Sequence, residues 1–139
     1  MLESTLRPSP ITPTVDFSAE GVQHGFLRLP YSRDDSAWGS VMIPLTVVKN
    51  GDGPTALLTG GNHGDEYEGP IALFDLARSL KAEDVTGRVI IVPAMNYPAF
   101  VAGTRGVDGI GGDYPAIVPL LPSGVECLAN VPRKLLVKD

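Results

Sequence analysis

A histidine and a glutamate three residues apart, His63 and Glu66, lie within the run Gly60-Gly61-Asn62-His63-Gly64-Asp65-Glu66-Tyr67-Glu68-Gly69. An imidazole nitrogen and a carboxylate oxygen are donor types that bind zinc. The glycines around them let the backbone turn sharply enough for both to converge on one cation. Two donors are half of a catalytic zinc site, which takes three protein ligands and keeps one position open. Taken alone, the pair is weak evidence for a metal and fits an exposed polar loop better. Its context favours the metal, because an apolar strand precedes the glycine pair and a helix opening at Pro70 follows it.

The surrounding polar residues each have two readings. Asp65 orients His63 or caps the following helix. Glu68 is a general base or a first-turn acid that the helix dipole favours, and Tyr67 is a pocket wall or part of the core. Arg105 carries an always charged, fork-shaped guanidinium that would polarise a carbonyl or clamp a carboxylate; the alternative is a surface arginine. His24 falls on a strand and reads as structural or exposed rather than as a ligand. The run Gly109-Ile110-Gly111-Gly112 lacks the spacing, the preceding strand and the lysine of a phosphate loop. Cys127 has no base or cation beside it in sequence and reads as an inert thiol.

The elements that must position these residues follow from periodicity. Pro8, Pro10 and Pro13 make residues 1–14 an extended arm, without helix or continuous strand. Alternation from Val22 to Leu29 predicts a strand, ended by the polar loop Pro30 to Ser36. Ser40 to Val48 alternates with Val41, Ile43, Leu45 and Val47 on one face, and Pro44 predicts an edge position or a bulge there. Lys49-Asn50-Gly51-Asp52-Gly53-Pro54 predicts a tight hairpin into the next strand, Thr55 to Thr59. Leu73, Leu76, Ala77 and Leu80 fit the stripe of a core-packed helix from Pro70 to near Lys81, with Ile71 and Phe74 widening it. The unbroken run Arg88 to Pro93 predicts a parallel strand covered on both faces.

Strand, loop, helix and strand make a β-α-β unit. Ligands bind such sheets beyond the carboxyl ends of the strands, so the His63 loop and Met95-Asn96-Tyr97-Pro98 are expected to face each other across a cleft that Arg105 can reach. Beyond Gly106, glycines and prolines recur too often for an element to be assigned, apart from a terminal strand or helix over Val131 to Lys138.

Composition bounds the function classes. The 139 residues are 43% hydrophobic and 19% charged, which suits one globular domain. A net charge of -5 leaves no basic face for nucleic acid or for an anionic membrane surface. One cysteine excludes an internal disulfide and makes a reducing cytoplasm the default. No leader and no membrane-length apolar window is present, so the chain reads as cytoplasmic.

The motif Gly60 to Gly69, with Val92-Pro93-Ala94-Met95-Asn96-Tyr97-Pro98-Ala99-Phe100 and Gly103-Thr104-Arg105, resembles the succinylglutamate desuccinylase/aspartoacylase family of zinc amidohydrolases. Tyr31 to Gly39 adds to the likeness, which spans about residues 14 to 105. The resemblance implies an α/β fold, the N-terminal part of a metallocarboxypeptidase-like domain. Its central mixed, largely parallel sheet would be flanked by helices and incomplete at the C-terminus. By position, residues 15–105 would be that part, residues 106–139 a divergent tail, His63 and Glu66 zinc ligands, and Arg105 the catalytic group on the scissile acyl. The substrate implied is a small N-acyl amino acid of the N-acetyl-diaminobutyrate type, and a homo-oligomer is compatible with it.

The family continues with an Asn-Arg pair for the substrate carboxylate, a second histidine ligand and a glutamate general base. Here no Asn-Arg pair follows Arg105 and no histidine follows His63; Glu126 does not fit the base segment. The resulting expectation is an N-terminal part, or a reading frame that leaves the family near Arg105, inactive by itself. The alternative is a non-catalytic metal-binding or assembly module.

Overall fold

A computed structural model describes residues 9–31, 39–106 and 125–127. The strands are β1 (Thr12–Pro13), β2 (Gly21–Pro30), β3 (Ser40–Asn50), β4 (Thr55–Thr59), β5 (Gly87–Val92) and β6 (Val125–Cys127). Helix α1 (Glu68–Ser79) and a 3-10 turn at Ala82–Asp84 join β4 to β5, and α2 (Tyr97–Ala102) follows β5. The strands form one sheet in the order β1-β2-β3-β5-β4-β6. It is mixed: β5-β4-β6 run parallel, whereas β1-β2, β2-β3 and β3-β5 are antiparallel, so the parallel pairing is confined to one side.

Alternation builds the core. Ile43, Leu45 and Val47 of β3 share a face with Leu27, Leu57, Ile90 and Val92, and all are buried together with Ile11. Met95 and Tyr97, at the start of α2, pack against this cluster. Phe74 and Ala77 of α1 border the opposite face beside Phe26 and Thr46. In β5 both faces are covered, with Ile90, Ile91 and Val92 at most 1% exposed, as its unbroken apolar run predicts.

Several expectations need correction. Residues 51–54 are not a hairpin, because β3 and β4 do not pair; β5 lies between them. The crossover through α1 returns β5 parallel to β4, and the twice-buried run of β5 is satisfied only at an interior position. The glycine chemistry was legible nonetheless, since Gly51 has φ +66. Close approach also matters here, because a Cβ on Gly87 would stand 2.3 Å from the Pro54 carbonyl oxygen.

Pro44 sits in an interior strand, opposite Phe26. The pairing of β3 with β5 begins only at Thr46, so the absent N–H of Pro44 lies past that ladder and costs no bond. The proline-rich segment is partly ordered into the sheet. Thr12 and Pro13 form an edge strand on β2, Ile11 is buried, and the Thr14 N–H donates to the Phe26 carbonyl at 2.9 Å.

In α1, Leu73, Phe74, Leu76, Ala77 and Leu80 are buried or half-buried, but Ile71 is 60% exposed. It precedes Leu73 by two residues, roughly 160° round the axis, and so faces away from the sheet. Tyr97 and Pro98, read from sequence as part of a loop, open the helix α2. Pro98 occupies the first turn and Gly103 ends the helix at φ +66.

β6 adds an edge strand parallel to β4 in the stretch where no element was assigned. Most of the loop 30–36 and the terminal element expected over 131–138 lie outside the described residues. Among the described residues no helix is long and apolar enough to cross a membrane.

Candidate metal centre

The chain leaves β4 at Thr59 and turns at once. The Gly60 N–H donates to the Val92 carbonyl at 3.0 Å, and Gly61 takes φ +61, a conformation that side chains other than glycine rarely adopt. The Gly60 and Gly61 carbonyls then accept from Met95 N–H (2.8 Å) and Asn96 N–H (2.9 Å). The loops after β4 and β5 are therefore zipped together by backbone hydrogen bonds. A depression opens on the α1 side, lined by Thr59, Gly60, Asn62, Glu66, Glu68 and Pro70.

Beyond the zipper, the turn at His63 rests on α2. A Cβ on Gly64 would lie 2.0 Å from the Ala99 carbonyl carbon, so no other residue type fits at this spacing. The Gly64 N–H points to the Arg105 carbonyl (3.4 Å) and the Glu66 N–H to the His63 carbonyl (3.4 Å). Sheet, helix and turn together bring the three predicted site residues into one group. His63 Nδ1 is 3.0 Å from Glu66 Oε1, and the Arg105 guanidinium is 3.5 Å from the same oxygen.

The group is open to solvent, with side chains 36% (His63), 55% (Glu66) and 65% (Arg105) exposed. Ion pairs this exposed contribute about 0 to 1 kcal/mol, so the backbone contacts hold the arrangement more than the charges do. The donor pair fits zinc in chemical kind and in proximity. It falls short in number: among the described residues no group of three or more His, Cys, Asp and Glu side chains is able to hold a metal ion.

The neighbouring residues resolve differently from their sequence readings. Tyr67, not Asp65, occupies the N-cap position of α1, and no side chain caps that end. His63 Nδ1 pairs with Glu66, while Asp65 lies 3.9 Å from Arg105. Glu68 stands in the first turn of α1. Tyr67 is not core: it is 43% exposed and meets the Phe100 ring edge-on at 5.7 Å. His24 lies across the sheet, its Nδ1 2.9 Å from Thr46 Oγ1.

Asn96, expected only as part of the loop after β5, precedes α2 and is 9% exposed, and its Oδ1 has no hydrogen-bond partner among the described residues. The signal was present, since an asparagine just before a proline-containing first turn marks a helix start.

Residues 52–113 match the succinylglutamate desuccinylase/aspartoacylase catalytic domain. N-alpha-acetyl-L-2,4-diaminobutyric acid deacetylase of Halomonas elongata is 62% identical over 133 residues, which are 94% of this chain and 39% of that protein. The product-bound ectoine utilization protein EutE of Ruegeria pomeroyi is 70% identical, with a TM-score of 0.72 over 76% of this chain and 32% of its own. A succinylglutamate desuccinylase from a Silicibacter species is 64% identical, with a TM-score of 0.73 over 77% and 32%.

The chain thus spans about a third to two fifths of the length of these relatives. The resemblance drawn from the residues is shown: residues 52–113 match the catalytic domain of the succinylglutamate desuccinylase/aspartoacylase family.

Proposed function

We propose that the chain carries the first part of the active site of a zinc-dependent deacylase of small N-acyl amino acids, N-acetyl-diaminobutyrate being the reference substrate. The observation that carries this reading is the convergence of His63, Glu66 and Arg105 beyond the carboxyl end of β4, in the stretch that matches the family. His63 and Glu66 would hold the zinc, which when bound lowers the pKa of a water and draws electrons from an amide carbonyl. Arg105 would bind the acyl oxygen and stabilise the negative charge that grows there as the carbonyl is attacked. Hydrolysis would give acetate and the free amine. The depression beside Asn62 and Glu66 is the space on this side of the pair in which a small substrate would lie.

The chain by itself is proposed to be inactive, because no third ligand completes the pair among the described residues. The test is turnover of N-acetyl-diaminobutyrate by the purified chain with added zinc, alongside metal content. Zinc uptake that His63→Ala abolishes, without hydrolysis, is the expected result; hydrolysis at rates typical of enzymes would refute the inactivity.

A second reading is favoured by the same shortage of donors: a non-catalytic module that keeps the turn for binding or assembly. Absence of any zinc uptake would support it. A cytoplasmic location remains part of the proposal, resting on the single cysteine.

A further inference from the structure

We propose that Asn50 is a deamidation site of this chain, which the fold holds back by clamping both reacting groups: Glu20 takes the N–H of Gly51, and Val85 takes the side-chain amide of Asn50. The sequence has four asparagines, and Asn50 alone is followed by glycine; Asn62, Asn96 and Asn130 precede His63, Tyr97 and Val131. Deamidation begins when the backbone nitrogen of the next residue, having lost its proton to hydroxide, attacks the asparagine Cγ. A glycine there has no side chain to hinder the approach. The nitrogen–Cγ bond forms, the Cγ–Nδ2 bond breaks, and the amide leaves as ammonia with a proton taken from water. Water then opens the succinimide ring at either carbonyl, giving aspartate or isoaspartate.

The folded chain opposes each requirement. The Gly51 N–H donates to Glu20 Oε2 at 2.9 Å, and a hydrogen bond to the protonated form makes the nucleophile harder to deprotonate. Hydrogen bonds from Lys49 and from the Gly51 N–H lower the Glu20 pKa, which keeps that acceptor ionised wherever deamidation runs. Asn50 Nδ2 donates to the Val85 carbonyl at 3.0 Å, which ties the side chain to a residue 35 positions further on. Asn50 is also the last residue of β3 and pairs with Gly87, so its backbone rotates only by breaking that pair. Lys49 Nζ adds a hydrogen bond to the Gly51 carbonyl at 3.2 Å. Asn50 and Gly51 are both exposed, so water reaches them as soon as the clamp opens.

The product does not fit the clamp. A carboxylate at position 50 offers the Val85 carbonyl no donor, and it adds a negative charge beside the residue that Glu20 holds. Isoaspartate also lengthens the main chain by one carbon, which disturbs the register with Gly87. Modification is therefore one-way and loosens the end of the sheet where β4 and β5 begin.

Peptide mass spectrometry of the whole 139-residue chain, incubated at mildly alkaline pH, tests this. In denaturant, Asn50 should convert before the other three asparagines. In the folded chain its conversion should be slower by about tenfold or more, the factor that one hydrogen bond to a charged acceptor supplies. Glu20→Ala, folded by circular dichroism, should lose most of that protection. Ala72→Gly weakens α1 at an exposed position near the other end of the sheet and should leave the rate at Asn50 unchanged. Equal rates in the folded and denatured chain would overturn the proposal, as would a Glu20→Ala rate equal to that of the unaltered chain. A rate raised as much by Ala72→Gly as by Glu20→Ala would assign the protection to global stability and overturn the clamp.

Discussion

The two ends of the sheet are built on opposite plans. At the end where β4 and β5 begin, side chains do the fastening. Arg88 donates to Thr55 Oγ1 (3.0 Å) and to the Phe17 carbonyl (2.8 Å), Asn50 Nδ2 donates to the Val85 carbonyl (3.0 Å), and Glu20 accepts from Lys49 and from the Gly51 N–H. At the end where β4 and β5 finish, the backbone does it, through the Gly60 to Asn96 zipper and the packing of Gly64 on Ala99. The side chains there are left exposed, in contact mainly with one another. The difference teaches how a site is kept available: glycine-mediated backbone contacts fix a turn without consuming the polar side chains it displays.

The comparison breaks most sharply at Gly64. Gly64→Ala puts a carbon 2.0 Å from the Ala99 backbone, so α2 or the His63 turn must move. We expect a loss of about 3 kcal/mol in denaturant unfolding, together with loss of zinc uptake. Arg88→Met attacks the other end. It leaves the Phe17 carbonyl and Thr55 hydroxyl without their donor, which should cost about 2 kcal/mol by the same measurement and leave zinc uptake unchanged.

His63→Ala sharpens the contrast further. An exposed side chain outside the packing should change stability by no more than about 0.5 kcal/mol, yet zinc uptake should vanish in isothermal titration. A fall in stability as large as that of Arg88→Met would mean that the side chains, not the backbone, hold the site end together.

The smallest effect is expected at Glu20. Its hydrogen bond to Lys49, with that to the Gly51 N–H, lowers its pKa below the ordinary glutamate value. A carboxylate lowered in the folded state stabilises above its unfolded pKa, and that contribution is lost as pH falls through the folded one. Glu20→Gln should therefore unfold at a slightly lower temperature near neutrality and lose less on acidification. An identical pH dependence in the two proteins would remove Glu20 from the fastening of that end.

Much of this was legible in the residues. The strands at 21–30, 40–50, 55–59 and 87–92 follow alternation or an unbroken apolar run, and α1 follows its stripe, because burial of one face is a local property of the pattern. The helix over 97–102 was legible in principle through Pro98 and Gly103, but six residues give too little period to read. Ile71 was misplaced because apolar character does not state direction, and a position two residues before Leu73 turns outward.

What the sequence by itself determined is local: which segments bury a face, where glycine frees the turn at Gly61, and which side chains are of the kind that bind zinc. What only the tertiary structure decided is adjacency. That β5 lies between β3 and β4, that Arg105 stands against Glu66, and that Asp65 pairs with that arginine instead of capping α1 all depend on contacts between distant residues. No local propensity encodes such contacts. They arise because a twice-buried strand must take an interior position, and the loops at its carboxyl end follow wherever that strand is placed.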